Sequence, residues 1–95
     1  MARSTFTVRV QLHEADWAQY EKLHAKMEES GYARQVTAES GTTYFLPDGE
    51  FSIRSSRQEG EIADEVITIA NGVKDNACAV VTKSAGRAIR GLRKA

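Results

Sequence analysis

The sequence predicts a single α+β domain whose elements run β-α-β-β-α-β. Three observations predict it: strict two-residue alternation over residues 5–12, apolar residues at helical spacing in two separate segments, and short β-forming runs between and after those segments. The chain has 95 residues, 41% apolar and 27% charged, which is one core's worth of sequence with an ordinary surface.

Phe6, Val8, Val10 and Leu12 alternate with Thr5, Thr7, Arg9 and Gln11, which describes a half-buried strand. Trp17, Tyr20, Leu23 or His24, and Met27 then recur at three- and four-residue steps. They predict the inner face of a helix over residues 15–30, with Gly31 as its left-handed stop. Residues 33–37 and 42–46 are β-formers separated by Ala38-Glu39-Ser40-Gly41, a hairpin pattern. Pro47-Asp48-Gly49 is turn chemistry that breaks or bulges the second arm before Phe51 and Ile53 resume the alternation, so a bent strand is expected. Ser56-Arg57-Gln58-Glu59 fits a capping box ahead of Ile62, Val66, Ile69 and Val73, and Asn71-Gly72 closes that helix. The last strand, residues 77–82, has little that is polar on either side.

This order predicts a ferredoxin-like sandwich: a four-stranded antiparallel sheet with two helices on one face, residues 1–83 forming the domain and 84–95 a basic C-terminal tail. Phe6, Val8, Val10 and Leu12 face the helices, and Thr5, Thr7, Arg9 and Gln11 face the open side. The last strand falls at an edge and calls for a cover, either the tail or a second copy in a homodimer. Ile89 and Leu92, three apart, give the tail an apolar side to pack on the domain or on a partner.

Several function classes are excluded or disfavoured. The longest apolar run, Ala77 to Val81, is far below the ~20 residues that cross a bilayer. Met1 to Ser4 leads straight into the alternating strand without an apolar export segment, so a cytoplasmic location is expected. Cys78, the only cysteine, excludes an internal disulfide and a thiolate metal cluster. The glycines match neither phosphate-loop nor dinucleotide patterns, and no cofactor is expected. Two helices over one sheet leave little room for a deep small-molecule pocket in a chain this short.

Charge and histidines carry more. The formal net charge is zero, but residues 1–82 hold eight basic and thirteen acidic residues while residues 83–95 hold five basic and none acidic, balances of −5 and +5. Arg9, Arg34, Arg54 and Arg57 lie on or beside the strands, and Lys83, Arg87 and Arg90 lead the basic run, a set suited to RNA phosphates through salt-sensitive contacts. Tyr44 or Phe45, one of the two by alternation, points to the open side where a base could stack. His13 beside Glu14 and Asp16 is a candidate general base, against the plainer role of Glu14 or Asp16 as helix cap. His24, at the border of the apolar helix face, reads as a core-edge residue with one hydrogen bond. The two histidines lack a third ligand nearby, so no metal site is predicted.

The run Val10-Gln-Leu-His-Glu-Ala-Asp-Trp17, continuing through Tyr20-Glu-Lys-Leu-His24 to Met27, resembles the GhoS-like family of small bacterial and phage proteins. So do Gly31-Tyr32-Ala33-Arg34, Thr43-Tyr44-Phe45-Leu46-Pro47 and Thr82-Lys-Ser-Ala-Gly-Arg87, and the resemblance covers most of the chain. It implies an RNA-cleaving antitoxin of a type V toxin-antitoxin pair, acting on a toxin messenger RNA, with a ferredoxin-like fold similar to CRISPR-associated spacer-acquisition nucleases. Those nucleases hold metal through an acidic residue at the end of the first strand, where this chain has His13-Glu14. The departure points to a metal-independent route in which His13 draws a proton from the 2′-hydroxyl and Arg9 or Arg34 stabilises the phosphorane. The competing expectation is a non-catalytic, phage-borne module that dimerises through the last strand and binds a protein.

Overall fold

The computed structural model of the chain describes residues 3–38, 40–86, 88 and 90–95. Among them the elements run β1 (Ser4–Gln11), α1 (Trp17–Glu29), β2 (Gln35–Thr37), β3 (Thr43–Phe45), β4 (Glu50–Ser55), α2 (Glu59–Asn71) and β5 (Cys78–Lys83). The expected alternation of strands and helices is present, with the bent strand resolved into two.

β1 is the middle of an antiparallel sheet of order β4-β1-β5. Val8 stands opposite Phe51 and Val81, and Phe6 opposite Ile53, so these side chains share the face that the helices cover. Phe6, Val8, Val10 and Leu12 are buried as their alternation predicts, together with Leu23 and Met27 of α1 and Ile62, Val66 and Ala70 of α2. Burying each of these side chains larger than alanine contributes about 1.5–3 kcal/mol, and this shared layer is why both helices lie against one side of the sheet.

Local chemistry sets the helix ends. Asp16 caps α1: its Oδ1 accepts from Gln19 N at 2.9 Å while its own N–H donates to Gln19 Oε1 at 3.1 Å. Gly31 ends the helix at φ +94°, which lets Tyr32 N–H reach back to Met27 O at 3.0 Å and drops the Tyr32 ring into the core. The capping box of α2 forms two residues later than its sequence suggests. Gln58 is the cap residue and its N–H donates to Glu61 Oε1 at 3.0 Å, because Ser55 Oγ already accepts from Arg57 N at 3.0 Å and holds residues 55–57 in a turn.

The single four-stranded sheet does not form. β2 pairs with β3 in a separate two-stranded sheet, and Ala33, ahead of β2, bridges Ser52 of β4 with reciprocal N–H to O bonds of 2.8 Å. The cause lies in Pro47-Asp48-Gly49. Glu50 N–H bonds to Pro47 O at 2.9 Å, closing a turn, and Gly49 O accepts from Val10 N–H at 2.7 Å, tying that turn to β1. The corner sends β3 and β4 into different sheets instead of letting one strand bend.

One other expectation is corrected, and the strand register places Cys78. Trp17, placed on the inner stripe of α1 by spacing, is 55% exposed because it is the first residue of the helix, and its ring leans edge-on against His24 at 5.8 Å. Cys78 is exposed, since its register opposite Gln11 turns it to the face away from the helices.

A Cβ at Gly49 would drive into Val10 O, a backbone atom that cannot swing aside. Gly49→Ala should therefore lower unfolding stability by about 1–3 kcal/mol in urea titration, whereas Gly60→Ala, at an open position in the first turn of α2, should leave it unchanged or slightly higher.

Candidate nucleic-acid interface

The β1 register lays out the face that the helices leave free. Arg9 stands opposite Glu50 and Val80, Thr7 opposite Ser52 and Thr82, and Thr5 opposite Arg54. Arg9 and Arg54, both exposed, thus share this face but at opposite ends, about 13 Å apart at ~3.3 Å of rise per residue. Arg9, Gln11 and Tyr20 border a groove of about 340 Å³ whose other wall is the turn from Pro47 to Glu50. Tyr20 also holds the end of β1, its hydroxyl accepting from Leu12 N–H at 3.1 Å.

This face is not open throughout. Ser84 N–H bonds to Thr5 O at 2.8 Å and Ser84 Oγ lies 3.2 Å from Thr7 Oγ1, which turns the chain off β5 and over the sheet. Ala88, Arg90 and Leu92 then line a cleft with Thr7, Val36 and Leu46. Val36 and Leu46 are buried without belonging to the main core, so the β2–β3 hairpin and the C-terminal segment form a second, smaller apolar contact on this side. The chain ends as a strand: Phe45 N–H bonds to Arg93 O at 2.9 Å, Ala95 N–H to Thr43 O at 3.0 Å, and Tyr44 pairs with Lys94.

The sequence-predicted residues are distributed unevenly around this face. His13 is exposed in the turn after β1, where Glu14 takes φ +52°, and Asp16 is committed to capping α1. His24 is buried, its Nε2 2.7 Å from Asp48 O between the rings of Trp17 and Phe51, which is the core-edge role. Arg34 is largely covered, 3.8 Å from Asp48 Oδ1, with its guanidinium over the Phe45 ring at 5.8 Å. Arg57 pairs with Glu65 at 3.2 Å. Lys83 and Arg57 border a groove at the other end of β1, with Ser4 and Ser55. Arg90 is exposed beside the Leu92 cleft, while Arg87 and Ile89 lie outside the described residues.

The geometry adds one cluster that sequence reading did not single out. Arg93 lies over the Phe45 ring at 5.3 Å, so two guanidiniums meet on one aromatic side chain. Only the basic character of the last residues was visible in the sequence, because a short terminal strand carries no periodic pattern that names its partner. Among the described residues, no three His, Cys, Asp or Glu side chains come together as metal ligands would, and no helix is long and apolar enough to cross a membrane.

Residues 2–86 match the family described as endoribonuclease GhoS. The chain belongs to this family. No curated protein matches the chain. The matched span includes β1 through β5 and stops before the terminal strand on β3.

Arg57 is tied into a network that stabilises the fold. The buried Tyr32 hydroxyl donates to Glu65 Oε1 at 2.7 Å and Arg57 donates to the same oxygen at 3.2 Å. Burial, then the hydrogen bond and charge of Glu65, push the Tyr32 phenol up to about 12, while the Tyr32 and Arg57 hydrogen bonds hold the Glu65 carboxyl below its ordinary value. A phenol raised from 10.0 to about 12 on folding stabilises the protein below pH 10, and that contribution is lost as pH rises toward 12. The Glu65 share has the opposite sense, present above the ordinary carboxylate range and lost on acidification, and is small because the group is partly solvated. Thermal unfolding midpoints should fall across about pH 10–12 in the wild type, and Tyr32→Phe should remove much of that slope.

Proposed function

We propose that the protein is an RNA-directed endoribonuclease that acts as an antitoxin by cutting a toxin messenger RNA. The observation that carries the proposal is the family match over residues 2–86. The exposed His13 at the end of β1 and the exposed Arg9 on the face beside it support the same reading.

In this mechanism RNA lies across the free face with a scissile phosphate near the Arg9 end. His13 takes the proton of the 2′-hydroxyl as that oxygen attacks phosphorus. Arg9 stabilises the charge that develops on the phosphorane oxygens, being exposed where Arg34 is engaged with Phe45 and Asp48. The bond to the 5′ oxygen breaks, that oxygen takes a proton from water, and the products are a 2′,3′-cyclic phosphate and a 5′-hydroxyl. The route uses the chain's own residues and passes no step through a metal.

A second reading, a non-catalytic protein-binding homodimer, is favoured by one observation. The outer edge of β5 has no paired strand among the described residues, and Val80 on it is 61% exposed. The C-terminal segment pairs with β3 and leaves that edge uncovered.

Purified protein incubated with candidate toxin transcripts should yield cyclic-phosphate ends. His13→Ala should reduce the cleavage rate by roughly 10²–10⁴ with the fold intact by circular dichroism, and a 2′-deoxy nucleotide at the cut should abolish it. Absence of cleavage, together with a concentration-dependent dimer that Val80→Lys disperses in sedimentation, would favour the second reading.

A further inference from the structure

We propose that the last residues of the chain, docked as a strand on β3, complete a phosphate-binding site for single-stranded RNA built from Arg93, Arg34 and Phe45. The proposal rests on the RNA-directed function above and names an element that grips the backbone away from the Arg9 groove.

Arg93 and Arg34 hold their guanidinium carbons 5.3 and 5.8 Å from the centroid of the Phe45 ring. Strand pairing fixes this arrangement. Phe45 N–H to Arg93 O at 2.9 Å and Ala95 N–H to Thr43 O at 3.0 Å are backbone bonds, so the cation is delivered in register instead of sampling solution on a loose end. The cluster is short of negative charge. Among the described residues, Asp48, 3.8 Å from Arg34 on an exposed side chain, is the carboxylate paired with the cluster, and Arg93 has no ion pair. Arg34 Nε is buried with no hydrogen-bond partner. Two cations held on one ring raise the local positive potential, and a phosphodiester accepting from Arg93 through the bidentate geometry that guanidinium favours lowers it. Bases stack on guanidinium planes, which suits an unpaired strand over a duplex.

Charge distribution supports the same assignment. Residues 1–82 carry a balance of −5, so the body repels RNA, while residues 83–95 carry +5, and their docking brings positive charge to the β3 edge. Arg93 lies beyond the matched residues 2–86, whereas Arg34 and Phe45 lie within them, so the residue that completes the site comes from outside the matched region.

The test is binding of a labelled, uncleavable 2′-O-methyl single strand of mixed sequence to the full chain, followed by anisotropy at several salt concentrations. Arg93→Ala should weaken binding roughly 5–10-fold and reduce the slope of log affinity against log salt by about 0.7. Phe45→Leu should weaken it comparably with every charge retained, and the Phe45→Leu, Arg93→Ala double variant should lose less affinity than the product of the two single fold-losses. Should Phe45→Leu fail to fold, Ala95→Pro serves the same purpose, removing the terminal N–H to Thr43 O without altering a charge or the core. Wild-type affinity in all of these variants would overturn the proposal while leaving the RNA-directed function standing. Loss with Arg93→Ala alone would show a loose polycation instead of a docked site, and tighter binding on undocking would show that the strand blocks RNA; either result overturns it. If the wild type binds no single strand at all, the proposed function falls with it.

Discussion

β1 is paired along both edges, with β4 over Ser4–Arg9 and with β5 over Phe6–Gln11, and its two-residue alternation therefore decides the facing of three strands at once. A slip of one residue in either register would turn Phe6, Val8, Val10 and Leu12 to solvent and bring Arg9 into the helix layer, a change far larger than the marginal stability of a small domain could absorb. The helices, the core and the polar face all take their positions from that constraint. Arg9 is available to a ligand because Val8 and Val10 are buried.

The turn at Pro47-Asp48-Gly49 is the second organising feature, and it connects to more of the molecule than its length implies. Gly49 O receives Val10 N–H from β1, Asp48 O meets the His24 ring of α1, and the Asp48 carboxylate faces Arg34 at the entrance to β2. One short corner thus joins the central strand, a helix and the hairpin. Its close approach to β1 needs a residue without a Cβ at position 49, and its departure from β4 leaves the hairpin to pack on the other side of the sheet. That second packing site is what receives Leu92 and the terminal strand.

The electrostatic design follows from the same geometry. Arg57 is spent on Glu65 and Tyr32, so it does not act as a free surface charge, whereas Arg34 is held in place against Phe45 beside Asp48. Positive charge for an anionic ligand comes from Arg9 and Arg54 at opposite ends of the free face and from the terminal strand, which brings Arg93 onto the Phe45 ring that Arg34 also contacts. An acidic body with localised cations binds RNA only where those cations are, which favours specificity of placement over general affinity. The GhoS family relationship and this distribution are consistent with each other, and the terminal strand is the part that the family span does not include.

The sequence by itself determined the order of the elements apart from the division of the bent strand into β3 and β4, the inward face of β1, the end of α1 at Gly31, the hairpin, and the core-edge place of His24. These depend on periodicity and on the conformational limits of glycine and proline, which act over a few residues and are written locally. Tertiary structure decided what the local patterns could not specify: that a turn splits the strands into two sheets, that Trp17 stays exposed, that Arg57 is neutralised across eight residues by Glu65, and that the chain's end pairs with β3. Each of those outcomes is a choice among partners distant in the chain. Such choices are settled by which backbone groups remain unpaired and which apolar surface remains uncovered once the rest has packed.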